Sequence, residues 1–203
     1  MDNMLAFQIF FFILIAYFFG SISSAIVVCR LMRLPDPRTQ GSKNPGATNV
    51  LRIGGKTAAT ITLLGDLLKG LLPVCLAKYA GLSQTALIFV AFAAFLGHLY
   101  PIFFGFVGGK GVATLLGCLL ALSLPTGMAW IITWLIVAAI FRYSSLAALI
   151  ATLLSPLYIG FFTGSRSNML ILFLMAILLI YRHQQNILNL WHGQERKIGQ
   201  NKK

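Results

Sequence analysis

At 203 residues, 58% hydrophobic and only 10% charged, the chain carries more apolar surface than a water-soluble domain of its size can bury. Its charges are lopsided, 16 Lys and Arg against 4 Asp and Glu for a net +12. In a soluble protein that bias would suggest nucleic acid. In so apolar a chain (mean hydropathy +0.85) it points to an anionic leaflet, a phosphate-bearing substrate, or both.

A spanning helix needs about 20 apolar residues, and the first such run covers residues 4–28. No basic n-region precedes it, so a cleaved signal peptide is not expected. Residues 34–55 follow as a long loop, LPDPRTQGSKNPGATNVLRIGG. Its polar residues Ser42, Asn44, Thr48 and Asn49 are small, Gly41, Gly46, Gly54 and Gly55 free the backbone, and Arg38, Lys43, Arg52 and Lys56 add charge. Such a loop can nest an anion with its amides. It can equally be a flexible positive connector that holds orientation.

Residues 57–77 form the second span, in which Asp66 and Lys69 are spaced i, i+3. Ionisable residues at that depth usually face the interior and pair. A structural ion pair is the first reading, with a substrate role or an ion pathway behind it. The third span covers residues 84–99, and the segment GFVGGKGVAT at residues 105–114 follows. A Gly-Gly-Lys-Gly turn opening a helix brings oriented amides, a helix dipole and an ammonium to one point, which suits phosphate. Glycines that only close a turn are the alternative. The turn is not a Walker A loop, because Phe104 and Gly111 stand where that pattern needs Gly and Ser or Thr.

Residues 112–141 are too long for one comfortable span, and Pro125 with Gly127 should break them into two short helices. The last two spans cover residues 146–162 and 169–181, divided by Thr163-Gly-Ser-Arg-Ser-Asn168, backbone that lipid does not tolerate. The tail begins YRHQQNILNLWHGQERK, and on a continued helix His183 and Asn186 would share a face. Taken alone, His183 reads first as a boundary histidine, and Arg182 and Trp191 as interfacial anchors. Cys29, Cys75 and Cys118 fit neither a disulfide framework nor a metal motif and read as inert thiols.

The expected architecture is therefore an all-α integral membrane protein, a bundle of about seven short transmembrane helices in one domain, residues 1–203, with a five-span count that fuses the last two pairs ranked second. With the amino terminus outside and the carboxyl terminus cytoplasmic, the inner loops hold almost every cation and the outer side keeps Lys78 and Arg166.

Three segments in this order, GSKNPGATNVLRIGG, GHLYPIFFGFVGGKGVAT and YRHQQNILNLWHGQERK, give the chain a further meaning. Together they resemble the membrane-bound acyl-phosphate:glycerol-3-phosphate acyltransferases of bacteria, over nearly the whole length. The resemblance implies a multi-pass enzyme of the bacterial inner (plasma) membrane with its active site on the cytoplasmic side. There the sn-1 hydroxyl of glycerol 3-phosphate attacks acyl phosphate, giving lysophosphatidic acid and phosphate in the first step of phospholipid synthesis. His183, Asn186, Ser42 and Lys110 are the implied catalytic residues. They share substrate binding with Asn44, Thr48, Asn49, Arg52, Gly108, Gly109 and Gly111. Neither cofactor nor metal is implied. Membrane lipid is a partner and nucleic acid is not, and there is room for contact with the peripheral enzyme that makes acyl phosphate. In one departure, Gly41-Ser42-Lys43-Asn44 stands where the family tends to read Gly-Ser-Gly-Asn, so Lys43 adds charge and removes flexibility.

The chemistry of the residues agrees. Acyl phosphate already has a good leaving group, and no activated Ser or Cys signature is present. The His-x4-Asp pattern of acyl-CoA-dependent enzymes is missing, since Phe103, Leu188 and Lys197 follow the three histidines at that distance. Catalysis would rest on positioning and on donors aimed at the developing oxyanion, and His183 reads as a positioning donor ahead of a general base. Among rivals, an anion transporter or channel would need polar groups through the depth of the membrane. A CDP-alcohol phosphotransferase would need an aspartate cluster that Asp2, Asp36, Asp66 and Glu195 cannot build. A scaffold for a soluble partner has only the basic tail in its favour.

Overall fold

The computed structural model describes residues 2–200. Among these the chain is helical throughout: α1 (Asp2–Gly20), α2 (Ser24–Leu31), α3 (Ala47–Tyr79), α4 (Gln84–Leu99), α5 (Val112–Leu122), α6 (Leu124–Phe141), α7 (Ser144–Thr163), α8 (Arg166–Arg182) and α9 (Gln184–Trp191), with a 3-10 turn at Ile102–Phe104. Each expected apolar run is helical. By length and hydropathy five of the helices can cross a membrane, six if the bent pair α8–α9 counts as one span, while α5 is short. Its 11 residues rise only about 16 Å, against a hydrocarbon core of about 30 Å.

Two compact units divide the chain after Leu122. In the first, α3 packs on α5, α1 on α4, and α2 on α3. Small residues set these crossings. A Cβ at Gly20 would strike the carbonyl of Ala94, and one at Gly97 that of Tyr17, so α1 and α4 touch backbone to backbone. Gly70 against Thr114 and Gly117 against Leu67 do the same for α3 and α5. Without a hydrophobic force between helices in lipid, such close approach is what makes packing favourable. Phe95, Leu87, Leu99 and Leu115 fill the interior, while Phe7, Phe10 and Leu64 face outward.

Several boundaries differ from the sequence expectation, each for a local reason. The first run is not one helix: it breaks at Ser21-Ile22-Ser23. There the buried Lys69 ammonium takes the freed Ile22 carbonyl at 2.9 Å, a partner an unbroken helix would not offer. The loop 34–55 is shorter than expected, because Ala47 already starts α3. Gly55, at φ 77, is the point where that helix kinks. The long run 112–141 divides at Ser123 and not at Pro125. Ser123 caps α6 by accepting from the Thr126 N–H, and Pro125 sits in the first turn, where a missing N–H costs nothing. The divider before α8 shrinks to Gly164, left-handed at φ 66, and Ser165, the α8 cap.

In the second unit α6 packs on α7 and α7 on α8. Polar ties cross the first of these pairs, Trp130 Nε1 to Thr152 Oγ1 at 3.3 Å and the Thr133 and Tyr158 hydroxyls at 2.7 Å. Ile159, Leu172, Met175 and Leu179 are fully buried here. The tail does not continue α8. At His183 the axis turns by 62° into α9, so the shared-face reading of His183 and Asn186 gives way to two residues on differently directed helices.

Candidate active site

The first unit brings two of the three basic segments together. Residues 34–46 fold back on the start of α3, and Asn49 is their clamp. It is 1% exposed. Its Nδ2 donates to the carbonyls of Pro37 (2.9 Å) and Gln40 (3.0 Å), and its Oδ1 accepts from the Ser42 N–H (2.8 Å). Gly41, at φ 63, lies where a Cβ would strike that oxygen. Asn49 was expected to touch substrate, but its amide faces inward and shapes the loop. That leaves Ser42 and Lys43 exposed at the loop tip with Asn44 half-buried beside them. Lys43 takes φ 55, a left-handed conformation that glycine adopts freely. Thr48 and Arg52 are exposed one helical turn apart and share a face of α3.

Nearby, Asp36 accepts from the Arg38 backbone N–H (2.9 Å) and from its guanidinium (2.7 Å to Nη2). These bonds, the side-chain ones first, hold the Asp36 carboxyl below its ordinary value.

The second segment closes against the end of α4. Gly108 and Gly109 are buried where a Cβ would collide, at Gly108 with the carbonyls of His98 and Leu99, at Gly109 with the His98 ring. Pro45 O would stand 3.0 Å from that same Gly109 Cβ, so the first loop reaches the second. Gly111, at φ 86, turns the chain into α5, and Lys110 is half-exposed immediately before its first turn. The expected arrangement of glycines, a lysine and a helix start is thus present in space as well as in sequence.

The third segment lies in the second unit. His183 is 2% exposed, not a surface histidine. Its Nδ1–H donates to the Leu179 carbonyl at 2.8 Å, so the neutral ring carries its lone pair on Nε2. Asn186 Nδ2 donates to Glu195 Oε1 (2.7 Å), which also accepts from Ser145 Oγ (2.6 Å). Glu195 and Ser145 escaped the sequence reading. The available signal was that Glu195 is the one acidic residue of the basic tail, close after Asn186 and Asn189. Among the described residues no group of three or more His, Cys, Asp or Glu side chains gathers to hold a metal.

A family model described as glycerol-3-phosphate acyltransferase matches residues 10–193. The chain belongs to the glycerol-3-phosphate acyltransferase family. It is 58% identical over 181 residues to the glycerol-3-phosphate acyltransferase of Hydrogenovibrio crunogenus, covering 89% of this chain and 87% of that one. To the enzyme of Ruthia magnifica it is 54% identical over 186 residues, 92% and 94% of the two chains. A crystal structure of PlsY (YgiH), an integral membrane glycerol 3-phosphate acyltransferase in its glycerol 3-phosphate form, superposes with a TM-score of 0.89. Identity is 38%, over 94% of this chain and 96% of that one. The lysophosphatidic acid form of PlsY superposes at 0.86 with 37% identity. This acyltransferase is thus a multi-pass membrane protein, and all three basic segments begin within the matched residues.

Proposed function

We propose that this acyltransferase moves an acyl group from acyl phosphate to the sn-1 hydroxyl of glycerol 3-phosphate, at the cytoplasmic face of the bacterial inner membrane. The hydroxyl oxygen attacks the acyl carbonyl carbon, the bond from that carbon to the phosphate oxygen breaks, and lysophosphatidic acid and inorganic phosphate leave. The observation that carries the reading is the 108–111 turn. Buried glycines press the backbone onto α4 and present Lys110 at the start of α5, where ammonium and helix dipole act together on a phosphate. Ser42, Asn44, Thr48 and Arg52 supply further donors, and Asn49 keeps their loop in shape. The glycerol 3-phosphate and lysophosphatidic acid forms of PlsY support the same acceptor and product.

Within the second unit, His183 and Asn186 are the polar groups of the third segment, a ring and an amide each held by a hydrogen bond. Because Leu179 holds the Nδ1 proton, a neutral His183 offers a lone pair at Nε2 and can accept the hydroxyl's hydrogen bond or its proton. Donation to a phosphate would require the imidazolium. The acceptor role therefore replaces the donor role that the sequence favoured. Asn186 is oriented by Glu195, whose carboxylate also accepts from the Ser145 hydroxyl.

The amino terminus lies outside and the basic segments inside, next to the soluble substrate, with the acyl tail kept among the helices. Membrane lipid surrounds the chain, and the peripheral enzyme that makes acyl phosphate would meet it on the cytoplasmic side. Purified protein given acyl phosphate and glycerol 3-phosphate should release lysophosphatidic acid and phosphate in equal amounts. Turnover with an acyl thioester but none with acyl phosphate would overturn the assignment.

A further inference from the structure

Directly behind the phosphate turn lies a buried polar cluster that no step above uses. Asp66, Lys69 and His98 are 3%, 4% and 6% exposed. Lys69 Nζ is 3.0 Å from Asp66 Oδ1 and also donates to the Ile22 carbonyl. His98 Nδ1 is 3.7 Å from the same Asp66 oxygen. The far side of the ring meets the turn: a Cβ at Gly109 would collide with His98 Nε2, and the Gly109 N–H donates to the His98 carbonyl at 3.2 Å. The imidazole is thus wedged between a carboxylate on α3 and the α-carbon of the residue before Lys110. Burying ionisable groups costs more than packing apolar ones of similar volume. The cluster bears that cost directly at the back of the 108–111 turn.

We propose that His98, braced by Asp66 and Lys69, is a positioning residue for glycerol 3-phosphate binding. The ring sets how deeply the 108–111 turn sits on α4, and so where Lys110 and the flanking amides meet the phosphate. Pro45 lies against the same glycine, so the contact also sets the distance between that turn and the loop bearing Ser42. His98 acts through Gly109 and does not touch substrate. The inference rests on the phosphate role proposed for Lys110.

The test uses full-length protein in detergent with His98→Asn and Asp66→Asn, each alone and combined with Lys110→Ala. His98→Asn should raise KM for glycerol 3-phosphate by about tenfold or more while kcat falls much less, as expected when a binding group is misplaced by a fraction of an ångström. In the Lys110→Ala background the same substitution should change KM by no more than about twofold, because coupled residues are not additive. Asp66→Asn keeps the shape of the site, so it gives the same reading should His98→Asn fail to fold. Equal fold-changes with and without Lys110 would overturn the proposal, as would loss of folded protein in both variants, which makes the cluster purely structural. A normal KM for His98→Asn beside an impaired Lys110→Ala refutes His98 alone. A normal KM for Lys110→Ala refutes the phosphate reading of the turn itself.

Discussion

Three glycines of one short segment differ in what an added methyl group would meet, and replacing each by alanine separates the turn's function from its fold. Gly109 has no left-handed φ, so alanine suits its backbone and the penalty is steric. Its Cβ would meet the buried His98 ring, and Pro45 O at 3.0 Å. Overpacking of this kind costs about 1–3 kcal/mol. If the turn absorbs the strain by shifting, a displacement of about 1 Å can cost about 100-fold in rate, and about 1.4 kcal/mol already corresponds to tenfold. Gly109→Ala should therefore fold, unfold at a modestly lower temperature, and lose about tenfold to 100-fold in kcat/KM, chiefly through KM for glycerol 3-phosphate. Gly108→Ala meets two backbone carbonyls that cannot move without α4, so it should fold poorly. Gly105, at φ 63 with nothing within 4 Å, should cost only the left-handed strain of about 1–2 kcal/mol and keep KM. The measurements are thermal unfolding in detergent and steady-state kinetics on the same preparations. A wild-type KM for Gly109→Ala, or the same KM loss for Gly105→Ala, would refute the argument that this contact places the phosphate site.

In a cysteine-free background, single cysteines at Ser42 and Gly193 should be labelled only from the cytoplasm and one at Ser165 only from outside; Gly193 and Ser165 reacting from one side would remove the proposed orientation. His183→Asn, unable to act as a base near neutral pH, should lose more than about 100-fold in kcat together with the acidic limb of the pH profile, in line with general-base contributions; substantial turnover with an unchanged profile would return His183 to a positioning donor. Asp36 is held below its ordinary value of 3.8, so its bond to Arg38 stabilises the loop above that value and is lost as the pH falls through the lowered one. Hydrogen exchange in residues 36–42 should therefore be faster in Asp36→Asn at neutral pH, and the difference should vanish in strong acid; a difference persisting there would refute the pairing. Lys43→Gly relieves a left-handed residue but frees the unfolded chain, so stability should change by less than about 1 kcal/mol with KM unaltered. A tenfold rise in KM would instead give the Lys43 ammonium a substrate contact.

Much of this protein was legible in its sequence because lipid imposes a simple rule. Backbone polar groups must pair within the segment, so apolar runs become helices, and the runs around Ile13, Leu68, Val90, Leu135, Leu154 and Leu174 all did. The Gly-Gly-Lys-Gly turn was equally legible, since its chemistry is local: glycine backbone, one cation and the helix that follows. Tertiary contacts decided the rest. Gly20, Ser21, Ser23 and Ser24 hint at a break in the run 4–28, but that the freed Ile22 carbonyl meets Lys69, an ammonium on another helix, was decided by packing. Asn49 has the composition of a ligand group, yet the fold turns it inward to Pro37, Gln40 and Ser42. His98 and Gly109 are neighbours only because the chain reverses at the end of α4. Periodicity and composition report what one segment needs from its solvent. Which buried polar group finds which partner depends on segments far apart in the chain, and only the packed structure brings those together.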